Sequence, residues 1–296
     1  MPARRYPMSD DTPLRAELLG AERLASVARS LAAGQVWECA SGRNGAALLG
    51  MLESGDRQLG AVYRRLAADV REDIPVSPAA EWILDNYYLI EEQVRLVRDE
   101  LPADYGAELP RLVAGRFAGT PRVLEATVTL VSHTDARVDR QTLESFFLAY
   151  QDEAPLTIGE VWAIPIMLRL TLVENLRRLG LRVLDAHQAV VAGDSLADRL
   201  LEAAGDGSDA VSRRLAEIDA AHASPPAALL VRLSQRLAGQ DVALAPLSDW
   251  LERTLASRDE TLEHLTLGMH QEQAADQVSI ANSIGSIRSL GALEWR

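Results

Sequence analysis

Pro155-Leu-Thr-Ile-Gly-Glu-Val-Trp-Ala-Ile-Pro-Ile-Met-Leu-Arg-Leu-Thr-Leu-Val-Glu-Asn-Leu-Arg-Arg178 opens like the start of a helix. Thr157 can accept from the backbone N–H of Glu160, and the Glu160 side chain can reach back to the N–H of Thr157, which is a capping box. Val161, Trp162, Ile164, Ile166, Met167, Leu168, Leu170, Leu172, Val173 and Leu176 follow, on more than one side of the helix. A helix apolar on most of its circumference is a buried one. Pro165 removes one backbone donor, which predicts a kink or a wide first turn. The helix is expected to end at Gly180.

The charged residues of this helix are its candidate functional groups. Arg169 projects to the same side as Trp162, Leu172, Val173 and Leu176. A guanidinium on an apolar face needs a carboxylate or several carbonyls. Arg169 is therefore a docking or anion-binding candidate, or one half of a structural ion pair to another helix. Glu160, Glu174 and Arg178 share the opposite side. The two glutamates are fourteen positions apart, about 21 Å along a helix. Paired catalytic carboxylates of glycoside hydrolysis sit within about 10 Å, so these two are not an acid/base pair. Glu174 and Arg178 read as an ordinary i,i+4 surface pair.

Upstream, Ile74-Pro-Val-Ser-Pro78 breaks the chain, with Ser77 a candidate N-cap and Pro78 at the first helical position. In the helix that follows, Ile83, Tyr87, Ile90, Val94, Val97 and Leu101 form a seam spaced 4-3-4-3-4. Asn86 and Gln93 flank the seam; Asp85, Glu91 and Glu92 are carboxylates on different sides of the helix. Trp82, Tyr87 and Tyr88 read either as a sugar-stacking platform or as packing residues with polar tips, and packing is the commoner use of such rings. Residues 1–13 read as a mobile tail, 16–33 and 44–72 as helices. Between 122 and 133 a helical pattern competes with an alternating one over 124–130; a lone strand would have no partner, which favours helix. His133 and Asp135 at its end read as a general-base pair or as a dipole-facing His with an Asx turn. Residues 139–150 read as a short helix.

Beyond Gly180, helices are expected over 181–192, 195–204, 210–221, 226–237, 247–269 and 271–290. Gln277, Ile280, Ile284 and Ile287 form one stripe, with Asn282, Ser283 and Ser286 beside it. Gly205-Asp-Gly-Ser-Asp209 lacks the alternating oxygens and closing Glu of a calcium loop. The fold class is all-α, a multi-helix bundle of about ten helices joined by short loops. The expected division is a flexible tail 1–13, N-terminal helices 14–73, a central helical core 79–180 and C-terminal helices 181–296.

A net charge of −13 over 296 residues argues against a bare nucleic-acid binder. All basic residues are Arg, and Cys39 is the only cysteine. No secretory signal follows Met1-Pro-Ala-Arg-Arg, and no apolar run approaches the ~20 residues of a membrane span. The expected location is cytoplasmic. No phosphate-cradling glycine loop, His-Glu-x-x-His, Gly-x-Ser-x-Gly, Cys-x-x-Cys or Asp-x-Asp occurs, and the five histidines are scattered. No catalytic, cofactor-binding or metal-binding residue is assigned. Arg169, Trp162, Glu160, Glu174, Asp85, Asn86, Glu91 and Gln93 stand as structural or docking candidates.

Four blocks together resemble one family. They are Glu81-Trp-Ile-Leu-Asp-Asn-Tyr-Tyr-Leu-Ile-Glu-Glu-Gln93, Glu108-Leu-Pro-Arg-Leu112, residues 151–178 with Leu-Thr-x-Gly-Glu-x-Trp-Ala-x-Pro-x-x-Leu-Arg, and Ala274-Ala-Asp-Gln-Val-Ser-Ile-Ala-Asn-Ser-Ile-Gly-Ser-Ile-Arg288. In this order they resemble the N-terminal region of cyclic β-1,2-glucan synthases, large inner-membrane proteins. Those join such a helical region to membrane spans, a UDP-glucose-using glycosyltransferase domain and a glycoside-phosphorylase-like domain. The resemblance covers about residues 75–296. Leu293-Glu-Trp-Arg296 looks like a family block cut short, and the spans and catalytic domains lie outside this sequence. The resemblance implies a non-catalytic scaffold or regulatory piece at the cytosolic face of the inner membrane. Its partners would be the transferase and membrane domains of the same synthase. A free-standing helical adaptor for another protein is the alternative. The scaffold reading predicts an exposed apolar patch near the C-terminus.

Overall fold

The computed structural model describes residues 11–39, 45–101, 109–221, 225–237 and 244–292. Ten helices run through them: α1 (Ala21–Gly34), α2 (Gly45–Arg71), α3 (Pro78–Glu100), α4 (Arg122–His133), α5 (Arg140–Gln151), α6 (Ile158–Gly205), α7 (Ser208–Ala221), α8 (Ala227–Leu237), α9 (Ala245–Ala256) and α10 (Leu262–Ala292). The architecture is the all-α bundle read from the sequence. Two short strands, β1 (Trp37–Glu38) and β2 (Arg111–Leu112), pair antiparallel, an addition the sequence did not signal.

The chain divides into two compact units, residues 1–181 with 276–296, and residues 182–275. In the first unit the α3 seam is buried along its length, from Ile83 to Leu101. Ser77 caps α3 by accepting from the N–H of Ala80, ahead of Pro78. The alternation over 124–130 belongs to a helix, α4. Its threonines mimic a strand pattern, but Thr127 donates to the Leu124 carbonyl and Thr129 to that of Glu125, so neither needs water. The helix expected to start at Ala16 starts at Ala21. Residues 12–20 run as a strap because the N–H groups of Ala16 and Leu19 donate to the carbonyls of Ser132 and His133 at the end of α4.

The expected stop at Gly180 is overturned: α6 is one helix of 48 residues. Gly180 is a point of close approach, where a β-carbon would stand 3.5 Å from Leu59, 3.6 Å from Val62 and 3.8 Å from Ile83. Pro165 is accommodated inside α6. The expected break near residue 270 is also overturned and falls at 257–261. There Asp259 takes a left-handed backbone (φ 54), and the Glu260 N–H reaches the Leu255 carbonyl, a Schellman-type stop. Thr261 then caps α10 through the His264 N–H.

The second unit closes around Leu196, Leu200, Val211, Leu230, Leu233 and Trp250. Gly193 lets α8 approach α6: a β-carbon there would meet the Arg232 side chain at 2.9 Å. The glycine at 207 (φ 97) turns the chain between α6 and α7.

Candidate functional site

The first half of α6 carries three charge networks, all in the first unit. The capping box forms as read: Thr157 N–H donates to Glu160 Oε2 (2.9 Å), and Glu160 N–H donates to Thr157 Oγ1 (3.2 Å). The same carboxylate also takes a forked guanidinium. Arg122 Nε donates to Glu160 Oε1 at 2.6 Å and Nη2 to Oε2 at 2.9 Å, with a further bond from Nη2 to the Pro155 carbonyl. Arg122 and Glu160 are 1% and 0% exposed. The guanidinium lies 4.4 Å below the Trp37 ring and faces Tyr150, whose hydroxyl donates to Gln35. Burial opposes the Arg122 charge, but the hydrogen-bonded Glu160 carboxylate outweighs it and holds the pKa above its ordinary value.

The second network overturns a reading made above. Glu174 and Arg178 do pair, but at 8% and 2% exposure they are no surface pair. Glu174 accepts from Arg178 Nε and from both Nε and Nη2 of Arg177, at 2.8–2.9 Å. Arg177 continues to Asp11 (2.6 Å) and Gln58 (2.8 Å), and Arg178 to the Thr12 carbonyl. Leu14 N–H adds a bond to Asn175 Oδ1 at 2.9 Å. These contacts tie the strap to α6; residues 1–10 of the expected tail lie outside the described residues. Burial works against the Arg177 charge, yet Glu174 and Asp11 raise its pKa overall.

Arg169 is ion-paired within the chain, Nη1 to Glu100 Oε2 at 2.8 Å. The partner sits on α3, as the ion-pair alternative required. Asn86 and Gln93 are buried beside the seam; Asn86 donates to the Trp82 carbonyl and accepts from Arg288. Asp85, Glu91 and Glu92 are exposed and do not join these networks. Tyr87 packs against Tyr63 with ring centroids 4.2 Å apart, whereas Tyr88 is at the surface. His133 Nδ1 donates to the Glu17 carbonyl, while Asp135 goes to Ser279 and Asn282, so the two form no general-base pair.

Trp162 is the clearest departure. Counted among the apolar residues of a buried helix and also among the structural or docking candidates, it is 74% exposed, beside Ile158 at 76% and Val161 at 44%. Periodicity places a residue on a face; it does not say that something covers that face. At the first turn of α6 the inner side is taken by Glu160 and Ala163, and the apolar residues between them point outward. Near the C-terminus, Ile280, Ile284, Ile287 and Leu290 are buried and Val278 is 53% exposed; residues 293–296 lie outside the described set.

Sequence reasoning missed Arg122 altogether. It stands 38 positions from Glu160, and only the capping box marked the far end of the pair. Glu160 and Glu174 each spend their oxygens on guanidiniums, so neither is a free base. Among the described residues, no three His, Cys, Asp or Glu side chains gather as a metal site, and no helix is long and apolar enough to cross a membrane.

No protein-family profile matches the chain. It is 28% identical over 241 residues, 81% of its length, to cyclic beta-(1,2)-glucan synthase NdvB of Rhizobium meliloti (strain 1021). It spans only 8% of that protein. The chain is thus a distant relative of one segment of that synthase.

Proposed function

We propose that the chain is a non-catalytic helical scaffold that serves cyclic β-1,2-glucan synthesis, docking on the glycosyltransferase part of a synthase. The observation that carries this is the similarity running through 81% of the chain to one segment of the much longer synthase. The interior charges of α6 support it, because they are consumed in holding the first unit together. The docking face we assign is Ile158, Val161 and Trp162, three apolar side chains left at the surface on adjoining turns. Clustered exposed apolar residues mark interaction sites more often than catalytic ones.

The test is co-purification of the tagged chain with the separately expressed transferase part of a cyclic β-1,2-glucan synthase. Retention is expected, and Trp162→Asp should abolish it without changing Tm, since the side chain is already solvated. No retention, or retention indifferent to Trp162→Asp, rejects the docking role. Glucosyl turnover by the chain alone with UDP-glucose and Mg²⁺ or Mn²⁺ rejects the non-catalytic one.

A further inference from the structure

Residues 11–19 cross the first unit as a strap that belongs to no helix or sheet. Among themselves they make one backbone hydrogen bond, from the Arg15 N–H to the Pro13 carbonyl. Their other backbone bonds go to a groove formed by the end of α4, the middle of α6 and α10. Leu14 N–H donates to Asn175 Oδ1 at 2.9 Å, Ala16 N–H to the Ser132 carbonyl at 3.0 Å and Leu19 N–H to the His133 carbonyl at 3.1 Å. In return, Arg178 donates to the Thr12 carbonyl and His133 to that of Glu17, both at 2.8 Å. Contacts of this kind hold an extended peptide whatever its side chains, and the pockets between them set the sequence.

The groove has such pockets, of opposite charge at its two ends. On α6, the guanidiniums of Arg177 and Arg178 meet one internal carboxylate, Glu174, which leaves a positive end. Asp11 of the strap answers it, 2.6 Å from Arg177. The other end is acidic, with Asp276 and Asp135. Arg15 answers both carboxylates, at 2.9 and 3.8 Å, and donates to Ser279 Oγ. Between the two ends Pro13 and Leu14 are buried.

The acidic end is fixed independently of the strap. Asp135 and Ala136 take left-handed backbone, φ 48 and 60, which disfavours any residue with a β-carbon. The α10 helix holds them there: Asn282 donates to the Asp135 carbonyl (3.1 Å) and Ser286 to the Ala136 carbonyl (2.7 Å). A wall fixed before a ligand arrives saves the ordering entropy of binding.

We propose that this groove recognises an extended segment of a partner protein, carrying a carboxylate four residues ahead of an arginine, and that the strap is its competitor within the chain. The strap satisfies that pattern itself, with Asp11 and Arg15. A partner segment enters only when the strap leaves. The proposal goes beyond the docking face of α6, shares no residue with it and stands without it.

A fluorescent peptide of residues 11–19, added to the full chain and followed by anisotropy, tests it. In the wild-type chain the strap fills the groove, so the peptide meets only the open fraction. Arg15→Ala loosens the strap and should tighten peptide binding at least about tenfold. Leu14→Ala removes the apolar anchor while leaving Arg15 on Asp276. It should act in the same direction, which keeps the test open if the first variant folds poorly. A peptide with Asp11→Arg and Arg15→Asp should not bind. Equal affinity for the wild-type and both loosened chains overturns the proposal, as does no binding to either variant or equal binding of the charge-reversed peptide. Dimerisation of the loosened chains in place of peptide uptake also overturns it, since the occupant would then be the strap of a second copy.

Discussion

The two halves of α6 both bury apolar side chains, among them Met167, Leu172 and Leu176 in the first half, but differ in the charge they bury with them. Up to Arg178 its inner surface carries Glu160, Arg169, Glu174, Arg177 and Arg178, each held by a partner. From Arg182 onward the interior is Leu196, Ala197, Leu200, Ala203 and Ala204, and the charges sit outside. There Asp194 pairs with Arg232 and Asp198 with Arg236, all about a third or more exposed. Buried pairs demand one geometry, because a lost partner leaves a charge in a low-dielectric interior. A leucine-alanine interior tolerates small rearrangements and gains its stability from area removed from water. The first half of the helix adds matched charges to its apolar burial, and the second relies on burial.

The largest effect expected from this contrast is at Glu160. Glu160→Ala strands the Arg122 guanidinium and should cost about 3–5 kcal/mol in urea unfolding. The paired change Arg122→Met with Glu160→Leu should recover most of that loss; if it does not, the matching account of the first half is wrong. Leu200→Ala comes next, at about 2–5 kcal/mol, as a cavity effect without any charge dependence. An apolar interior predicts the same loss at low and high salt.

A third, smaller effect is alkaline and belongs to the first half alone. Burial pushes the Tyr150 hydroxyl up to about 12, with the Glu160 and Glu125 carboxylates adding to the rise against the pull of Arg122. The folded state therefore holds this proton more tightly than the unfolded chain does. Its contribution is complete below the ordinary value of 10.0 and is lost as pH rises to about 12. Burial raises the Tyr87 hydroxyl as well, so tyrosinate absorbance should show more than one late-titrating group, and Tyr150→Phe should remove the one at about 12. The smallest effect is Arg236→Ala in the second half. That pair is exposed, so the loss should stay below about 1 kcal/mol and vanish in high salt. A larger loss would mean that surface ions also matter there.

Much of this contrast could be read in advance, and the part that could not has a common cause. The capping box at Thr157 and Glu160, the α3 seam and the Ser77 cap were legible because their partners lie within four positions of one another. Glu174 with Arg178 was legible as a pair for the same reason, but not as a buried one. Arg122 was invisible, since no local pattern points from residue 122 to residue 160. Gly180 read as a stop because an isolated glycine looks like one, whereas it is kept small by Leu59, Val62 and Ile83. Trp162 was counted with the buried face, beside its standing as a docking candidate, because its neighbours in the helical period are core.

The sequence alone determined the helical class, most helix starts, and the side of each helix that carries apolar residues. These follow from backbone capping and from a 3.6-residue period, both properties of neighbouring residues. Only the tertiary structure decided which of those sides are covered and which charges meet. It alone brought the strap onto α6 and fixed the left-handed loop against α10. Burial and ion pairing are set by what arrives from elsewhere in the chain, and that information is in no single stretch of it.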